Sequence, residues 1–307
     1  MWLIPLDESI KNCRSVLGRR QGLPRRLTLS LILSLILGWQ VPLMAEEPPL
    51  LMGVFPRQGF TRTMENFSLL ADYLHSHLGR KVILKSARNF AEFWQGVEHG
   101  QYDLVHYNQY HYVRSHKELG YEVIAKNEEH HQTTLRGVLV VRKDSGIANV
   151  ADLRGKKIIF GGGRHAMQSY IVASYLLQQA GLSKSSYQAL FSESPPNAIF
   201  ATYYEQAAAA GSGDANMAIP VIQQRIDVSQ LKILARSKKL AQLPWAVKKT
   251  LSPALKTRIA NLLVNLDKTK AGREVLQRAG LTGIRAAIDK DYDMDRKIIR
   301  QVLGEDY

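Results

Sequence analysis

Three consecutive glycines between a predicted strand and a predicted helix mark the segment best suited to bind a small anion, residues 161–170. Glycine lets the backbone turn tightly and point N–H groups at a ligand, and a helix start adds unpaired donors and a partial positive charge. Gly163 ends the glycine run, Arg164 and His165 stand in the first turn of the predicted helix, and Gln168 follows within it. The two basic side chains oppose the dipole unless an anion is bound, so the segment predicts an anion site. A plain turn with solvated Arg and His side chains would fit the same residues.

A second polar group follows the strand-like residues 102–106. Tyr107, Asn108 and Tyr110 fall at the end of that strand or in the first turn of the next helix, which is where open α/β sheets bind ligands. Their hydroxyl and amide groups suit a polar small molecule. An amphipathic helix that buries Tyr110 in the core would explain these residues equally well.

Two further charged residues stand in predicted loops. Arg57 follows the apolar residues 50–55, and Asp214 lies in a glycine-rich stretch. Arg57 could contact an anion, and Asp214 could hold two parts of the fold together or bind a ligand hydroxyl. A solvated arginine and an ordinary turn aspartate are the alternatives.

Other chemistries find little support in the sequence. One Cys and nine His are present, and although His106, His111, His130 and His131 are candidate ligands, their spacing matches no zinc motif. We therefore expect no metal and no cofactor. The glycine run lacks both the P-loop ending and the spacing of a dinucleotide fingerprint. No serine stands in a nucleophile elbow, so we expect a binding protein rather than an enzyme.

Strand-like and helix-like segments alternate along the chain, which is typical of α/β layers with a mostly parallel sheet. The predicted strands cover residues 50–55, 81–85, 102–106, 121–125, 137–141, 156–160, 216–219 and 231–234. Apolar spacing predicts helical segments over residues 61–78, 89–99, 108–119, 147–153, 164–180, 200–210, 255–264, 272–279 and 291–303.

Residues 1–45 are predicted to be a signal peptide, because paired arginines precede a short apolar run and the small Ala45 precedes two glutamates. An uncleaved N-terminal anchor is the alternative. The segment holds six Lys/Arg and two Asp/Glu, so a net charge of +14 for the whole chain leaves +10 for the remainder. A basic exported protein suits anionic small ligands or an anionic membrane surface, and we expect no nucleic-acid partner.

Six short segments occur in an order that resembles the phosphate/phosphite/phosphonate substrate-binding proteins of ABC importers. They are Gly53-Val-Phe-Pro-Arg57, Leu70-Ala-Asp-Tyr-Leu74, Leu78-Gly-Arg-Lys-Val82, Gly100-Gln-Tyr-Asp-Leu104, Val140-Val-Arg-Lys-Asp-Ser-Gly-Ile147 and Ala151-Asp-Leu-Arg-Gly-Lys156. The resemblance implies a type 2 periplasmic-binding-protein fold, in which two α/β lobes close on a ligand by a hinge. By position, lobe one would be residues 48–136 plus 237–307, and lobe two residues 137–236.

One departure from the family pattern concerns the ligand. Phosphonate-binding members carry a Ser-Thr-Ser-Gly-Tyr-like run where this chain has residues 164–170, and a family histidine expected near residue 194 is replaced by Ser194-Pro-Pro196. Hydroxyls that would hold phosphoryl oxygens are therefore missing. Of the family's cleft positions, Asp214 and one of Tyr107 and Tyr110 match best.

The resemblance implies a periplasmic, monomeric protein that delivers a small oxyanion or anionic organic compound to an inner-membrane ABC permease. A second hypothesis is a sensory protein that reports its ligand to a membrane kinase or cyclase. A third, an enzyme on the same fold, is disfavoured by the predicted export and by the lack of a nucleophile–base pair.

Overall fold

The computed structural model describes residues 47–307, and the predicted signal peptide lies outside these residues. The strands of the described part are β1 (Leu50–Val54), β2 (Val82–Lys85), β3 (Leu104–His106), β4 (Glu122–Glu128), β5 (Thr134–Leu135), β6 (Gly137–Arg142), β7 (Lys157–Gly161), β8 (Gln188–Ser192), β9 (Ala209–Gly213), β10 (Leu231–Arg236), β11 (Leu240–Ala241), β12 (Pro244–Val247) and β13 (Gly283–Ala286).

The α-helices of the same residues are α1 (Phe60–Leu78), α2 (Phe90–Glu98), α3 (Gln109–Leu119), α4 (Ala173–Gln179), α5 (Pro195–Tyr203), α6 (Pro220–Gln223), α7 (Pro253–Val264), α8 (Lys270–Ala279) and α9 (Asp293–Leu303). A π-helical turn, Met167–Val172, leads directly into α4. No helix within residues 47–307 is both long enough and apolar enough to cross a membrane.

Capping residues in the sequence determine where the helices next to the strand ends begin and end. The side chain of Asn89 caps α2 by accepting from the N–H of Glu92, and Asn108 caps α3 by accepting from the N–H of His111. Asparagine at this position supplies an acceptor to an otherwise unpaired donor. Helix α3 ends at Gly120 in the left-handed conformation that glycine adopts without strain.

The strands form two mixed sheets. The first has the order β13-β4-β12-β3-β1-β2, in which β1 is parallel to β2 and β3 whereas β12 is antiparallel to β3 and β4. The second has the order β10-β6-β9-β7-β8, in which β7 is parallel to β8 and β9 whereas β6 is antiparallel to β9 and β10. The predicted mostly parallel sheet is therefore wrong, because the late strands β12 and β13 enter the first sheet antiparallel and β6, the first strand of the second sheet, runs against its neighbours.

The chain passes between the two sheets at β5 and β11, which pair antiparallel with each other. We call the parts built around the two sheets the first lobe and the second lobe. Helix α9 packs against α3 of the first lobe and against the π-helical turn and α4 of the second. Its Ile298, Ile299 and Val302 are buried in a core that includes residues of both lobes.

Two element predictions in the second lobe are wrong. The helix expected over residues 200–210 is α5, which begins earlier because consecutive prolines favour the first turn of a helix, and residues 209–213 form β9. The strand expected over residues 216–219 is a 3₁₀ turn, Asp214–Ala218, which Pro220 follows at the start of α6.

Candidate functional site

A cleft between the two lobes lies at the carboxyl ends of β1, β3, β7 and β9. Its empty volume is about 560 Å³, including space open to solvent. Its lining residues are Phe55, Arg57, Phe90, Asn108, Gln109, Leu135, Gly161, Gly162, Ala166, Met167, Gln168, Ser169, Pro195, Gly213, Ala215, Asn216 and Leu243. A crevice outside the carboxyl ends of the strands is the usual ligand site of open α/β sheets.

The glycine turn after β7 brings a helix start to the cleft. Gly162 and Gly163 have φ values of 84° and 83°, which side chains other than glycine rarely adopt. The first backbone bond of the following helix runs from the N–H of Tyr170 to the carbonyl of Ala166, 2.9 Å apart. The N–H groups of residues 167–169 precede that ladder and have no partner within the helix. This end of the helix therefore presents donors and a partial positive charge to the cleft.

The side chain of Gln168 is the most informative polar group of this helix start. It lines the cleft, and its Nε2 and Oε1 are both buried without a hydrogen-bond partner in the described residues. A buried amide without partners is unfavourable, because it loses hydrogen bonds to water and gains none. A ligand that accepts one hydrogen bond and donates another would satisfy both atoms. The neighbouring Ser169 is already engaged, since its hydroxyl donates to the carbonyl oxygen of Gly161.

Arg57 faces this helix start from the first lobe. Its Nη1 donates to Oε1 of Glu129 at 2.7 Å, and its Nη2 donates across the cleft to Oδ1 of Asn216 at 3.3 Å. Burial acts to raise the pKa of Glu129, but the charge and hydrogen bond of Arg57 outweigh it, so the pKa is lowered. Glu129 is therefore ionised and compensates the charge of Arg57.

A second contact between the lobes involves His165. The amide of Asn108 donates to the carbonyl oxygen of His165 at 3.0 Å, and the ring of Tyr110 stacks on the His165 ring at a centroid distance of 4.7 Å. Loss of solvent around the imidazole lowers the pKa of His165, so the ring is neutral near pH 7. The hydroxyl of Tyr110 donates to Glu305, so both aromatic rings close the rim of the cleft rather than line it.

Other residues predicted for the site lie elsewhere. The hydroxyl of Tyr107 is buried and hydrogen-bonded to Ser115, because α3 packs over the end of β3. Arg164 is exposed and its guanidinium lies over the ring of Phe191, at 5.2 Å from the centroid. Oδ1 of Asp214 accepts from the N–H of Arg136 and ties the end of β9 to the chain crossing. Gly163 belongs to the turn but not to the lining.

The structure adds lining residues that sequence reasoning missed. Gln109 donates to the carbonyl of Ala241 on β11, and its buried Oε1 has no partner among the described residues. Asn216 joins the cleft because residues 214–218 turn back over it. Apolar side chains make up much of the remaining wall, and they are Phe55, Phe90, Leu135, Met167, Pro195 and Leu243. No sequence motif marks these residues, since they come from different elements.

Within residues 47–307 no group of three or more His, Cys, Asp or Glu residues could hold a metal ion. The buried His106 instead stacks on Trp245, at a centroid distance of 4.4 Å, and shares a hydrogen bond with the carbonyl of Pro244. Burial lowers the pKa of His106 to about 4. It is therefore a neutral core histidine.

Comparison with known proteins identifies relatives over most of the chain. A family model described as the periplasmic phosphonate substrate-binding protein of ABC transporters matches residues 52–292. The phosphonates-binding periplasmic protein of Escherichia coli (strain K12) is 22% identical over 249 residues, which are 80% of this chain and 74% of that protein.

Two solved structures share the fold. A binding-protein component of an ABC phosphonate transporter from Pseudomonas aeruginosa has a TM-score of 0.72 at 16% identity and covers 83% of this chain and 87% of its own. PhnD1 from Prochlorococcus marinus (MIT 9301), solved with methylphosphonate, has a TM-score of 0.72 at 18% identity and covers 84% of this chain and 99% of its own. The family resemblance and the two-lobed type 2 fold predicted from the sequence are thereby confirmed.

Proposed function

The chain belongs to the family of periplasmic phosphonate substrate-binding proteins of ABC transporters, and from this premise we propose how its cleft holds a ligand. The ligand is a small oxyanion of the phosphonate class that carries an apolar substituent. Its oxygens bind the start of the helix at residues 167–169 and the side chain of Gln168. The single observation that carries this proposal is the unpartnered, buried amide of Gln168 at a helix start.

Side chains from both walls of the cleft complement this helix start. Arg57 and Asn216 meet across the cleft at 3.3 Å, and Asn108 stands beside them in the lining. Donors converging from both lobes fit an oxyanion, because each bond is assisted by the ligand charge. The apolar residues Phe55 and Phe90 fit a short alkyl group better than water. Methylphosphonate, the ligand of the Prochlorococcus protein, is therefore the first compound to test.

The remaining parts of the proposal concern the setting of the protein. We propose that residues 1–45 export the chain. We also propose that the two moving lobes are residues 48–136 with 237–307 and residues 137–236. The protein is proposed to be a monomer that delivers its ligand to a membrane permease.

The protein is also proposed to catalyse no reaction. The support is that, in the described part of the cleft lining, the hydroxyl of Ser169 donates to a backbone carbonyl and no imidazole or carboxylate stands beside it.

Replacement of Gln168 by leucine tests the ligand contact. Leucine has a similar size but no amide, so the variant loses a charge-assisted hydrogen bond to the ligand. Such bonds contribute about 1.5–3 kcal/mol, which corresponds to an affinity about ten- to a hundredfold weaker. Isothermal titration calorimetry with methylphosphonate measures the change.

Gln179→Leu is the matched control, because Gln179 is exposed at the far end of the same helix. It should bind methylphosphonate like the parent protein. Circular dichroism confirms that both variants are folded. Equal affinity of the Gln168→Leu variant and the parent would contradict the proposed site.

A further inference from the structure

The side chains that line the cleft carry little net charge. Among its lining residues in the described chain, Arg57 is the one ionisable side chain. Its guanidinium is paired at 2.7 Å with Glu129, whose side chain is only 11% exposed. The pair is therefore close to neutral before any ligand binds.

Glu129 lies behind Arg57 rather than in the main cleft. It lines an adjoining cavity with an empty volume of about 370 Å³, and the two cavities share Phe55 and Arg57. Oε1 of Glu129 receives hydrogen bonds from Arg57 and from the amide of Asn127. The carboxylate thus holds the guanidinium at the border of the two cavities and opposes its charge there.

The other basic side chains near the cleft do not give it a net positive charge. Arg164 is exposed and covers Phe191 outside the lining, while His165 is neutral near pH 7. The remaining attraction for an anion comes from the helix start, whose partial charge is about half of one elementary charge. That is enough to favour a single negative charge, but a second one would remain uncompensated in a partly desolvated site.

We propose that Glu129 is a specificity-determining residue, which makes this cleft select a singly charged oxyanion over a doubly charged one. The class comprises alkylsulfonates, phosphonate monoesters and the monoanions of alkylphosphonates. The inference rests on the proposed function, because it concerns the same cleft. Its physical basis is the repulsion between the Glu129 carboxylate and the second charge of a dianion, which the paired Arg57 cannot cancel.

Ligand charge can be varied without changing ligand shape. Methylphosphonate loses its second proton near neutral pH, as phosphate monoesters do, whereas methanesulfonate and the monomethyl ester of methylphosphonate stay singly charged. The groups that face Glu129 are Arg57 from the loop after β1, His106 from β3 and Asn127 from β4. Arginine stays protonated, and the pKa of His106 is about 4. Between about pH 6 and about pH 8.5 none of these groups around Glu129 titrates, whereas the ligand does.

Calorimetry across this pH range tests the proposal on the parent protein. Methylphosphonate should bind at least about tenfold more weakly at the high end than at the low end, following its monoanion fraction. The affinities for methanesulfonate and for the monoester should stay constant. Methylphosphonate that binds equally well or better as the dianion would overturn the inference alone. If none of the three ligands binds at any pH, the proposed function fails and the inference fails with it.

The Glu129→Gln variant tests whether this carboxylate causes the loss of methylphosphonate affinity at high pH. The variant leaves Arg57 with an unopposed charge, so the loss of methylphosphonate affinity at high pH should disappear or reverse. Glu128→Gln is the matched control, since it removes the same charge from the preceding residue, whose carboxylate pairs with Arg285 instead. If the Glu129→Gln variant keeps the parent's pH profile, Glu129 does not set the ligand charge. Should that variant not fold, the comparison of the three ligands on the parent still decides between monoanion and dianion.

Discussion

Asp295 is a carboxyl group placed where a carboxylate is unfavourable. It is fully buried on α9, and neither carboxyl oxygen has a hydrogen-bond partner among the described residues. Burial raises the pKa of Asp295 well above its usual value. The folded protein therefore keeps this proton at pH values where the unfolded chain has released it, so the contribution of Asp295 to the free energy of unfolding falls as pH rises above about 4.

Asp295→Asn removes this dependence on pH, because the amide is neutral in both the folded and the unfolded chain. Relative to the parent, the variant should gain stability steadily as the pH is raised from about 4 to about 7, so that the difference in Tm between the two proteins grows over this range. Thermal denaturation followed by circular dichroism at several pH values measures the difference. Parallel curves for the two proteins would show that Asp295 is ionised in the folded state.

Part of the candidate site can be predicted from the sequence. Arg57 and Asn108 can be predicted because each closely follows a recognisable strand, whose carboxyl end lies at the ligand-binding edge of a sheet, and Gln168 because it follows the glycine turn near a helix start. The charge of Arg164 predicts an anion contact, but a guanidinium on a flexible stem is free to turn outward and cover Phe191. Glu129 carries no local motif, and only its pairing with Arg57 across 72 positions of sequence gives it a role.

The elements that are hardest to predict from this sequence are strands whose residues have a low propensity for β-structure. β9 reads Ala-Ala-Gly-Ser-Gly, which has low β-propensity. It is nonetheless a buried strand of the second sheet, because tertiary packing selects small residues there. β12 and β13 were missed for a different reason, since they are short and enter the first sheet from late in the chain. Long amphipathic helices such as α1 were predicted to within a residue at either end.

The close approach of helix and sheet in the second lobe explains why the residues of β9 have small side chains. A Cβ atom on Gly211 would overlap the carbonyl oxygen of Ser169 and crowd Phe160 and Ala173. Because that carbonyl belongs to the π-helical turn at the cleft, a larger residue would displace the candidate site as well as weaken the core.

Gly211→Ala should therefore destabilise the protein by overpacking, which costs about 1–3 kcal/mol and at times more. Gly181→Ala is the control, because Gly181 has a φ of 77° but open space around it. Its cost is limited to backbone strain of about 1 kcal/mol. Differential scanning calorimetry should place the Tm of Gly211→Ala below that of Gly181→Ala. The reverse order would contradict the tight packing of β9 against the helix.

Considered as a whole, the described chain joins its two lobes through the crossing strands, through contacts at the cleft and through α9. The strands β5 and β11 carry the chain across, and α9 packs on both lobes. At the cleft, hydrogen bonds and ring stacking meet at His165, and Arg57 donates to Asn216. Opening of the lobes would break these cleft contacts while the crossing strands act as a hinge.

This arrangement predicts that ligand and lobe closure are coupled. The contacts of Asn108 and Tyr110 with His165 are few, so a bound anion that bridges Gln168 and Arg57 should add the attraction that holds the lobes together. Small-angle X-ray scattering should report a smaller radius of gyration with saturating methylphosphonate than without ligand. The Gln168→Leu variant at the same ligand concentration should keep the profile of the free parent. An identical profile for the free and saturated parent, with binding confirmed by calorimetry, would mean that the ligand enters a cleft that is already closed.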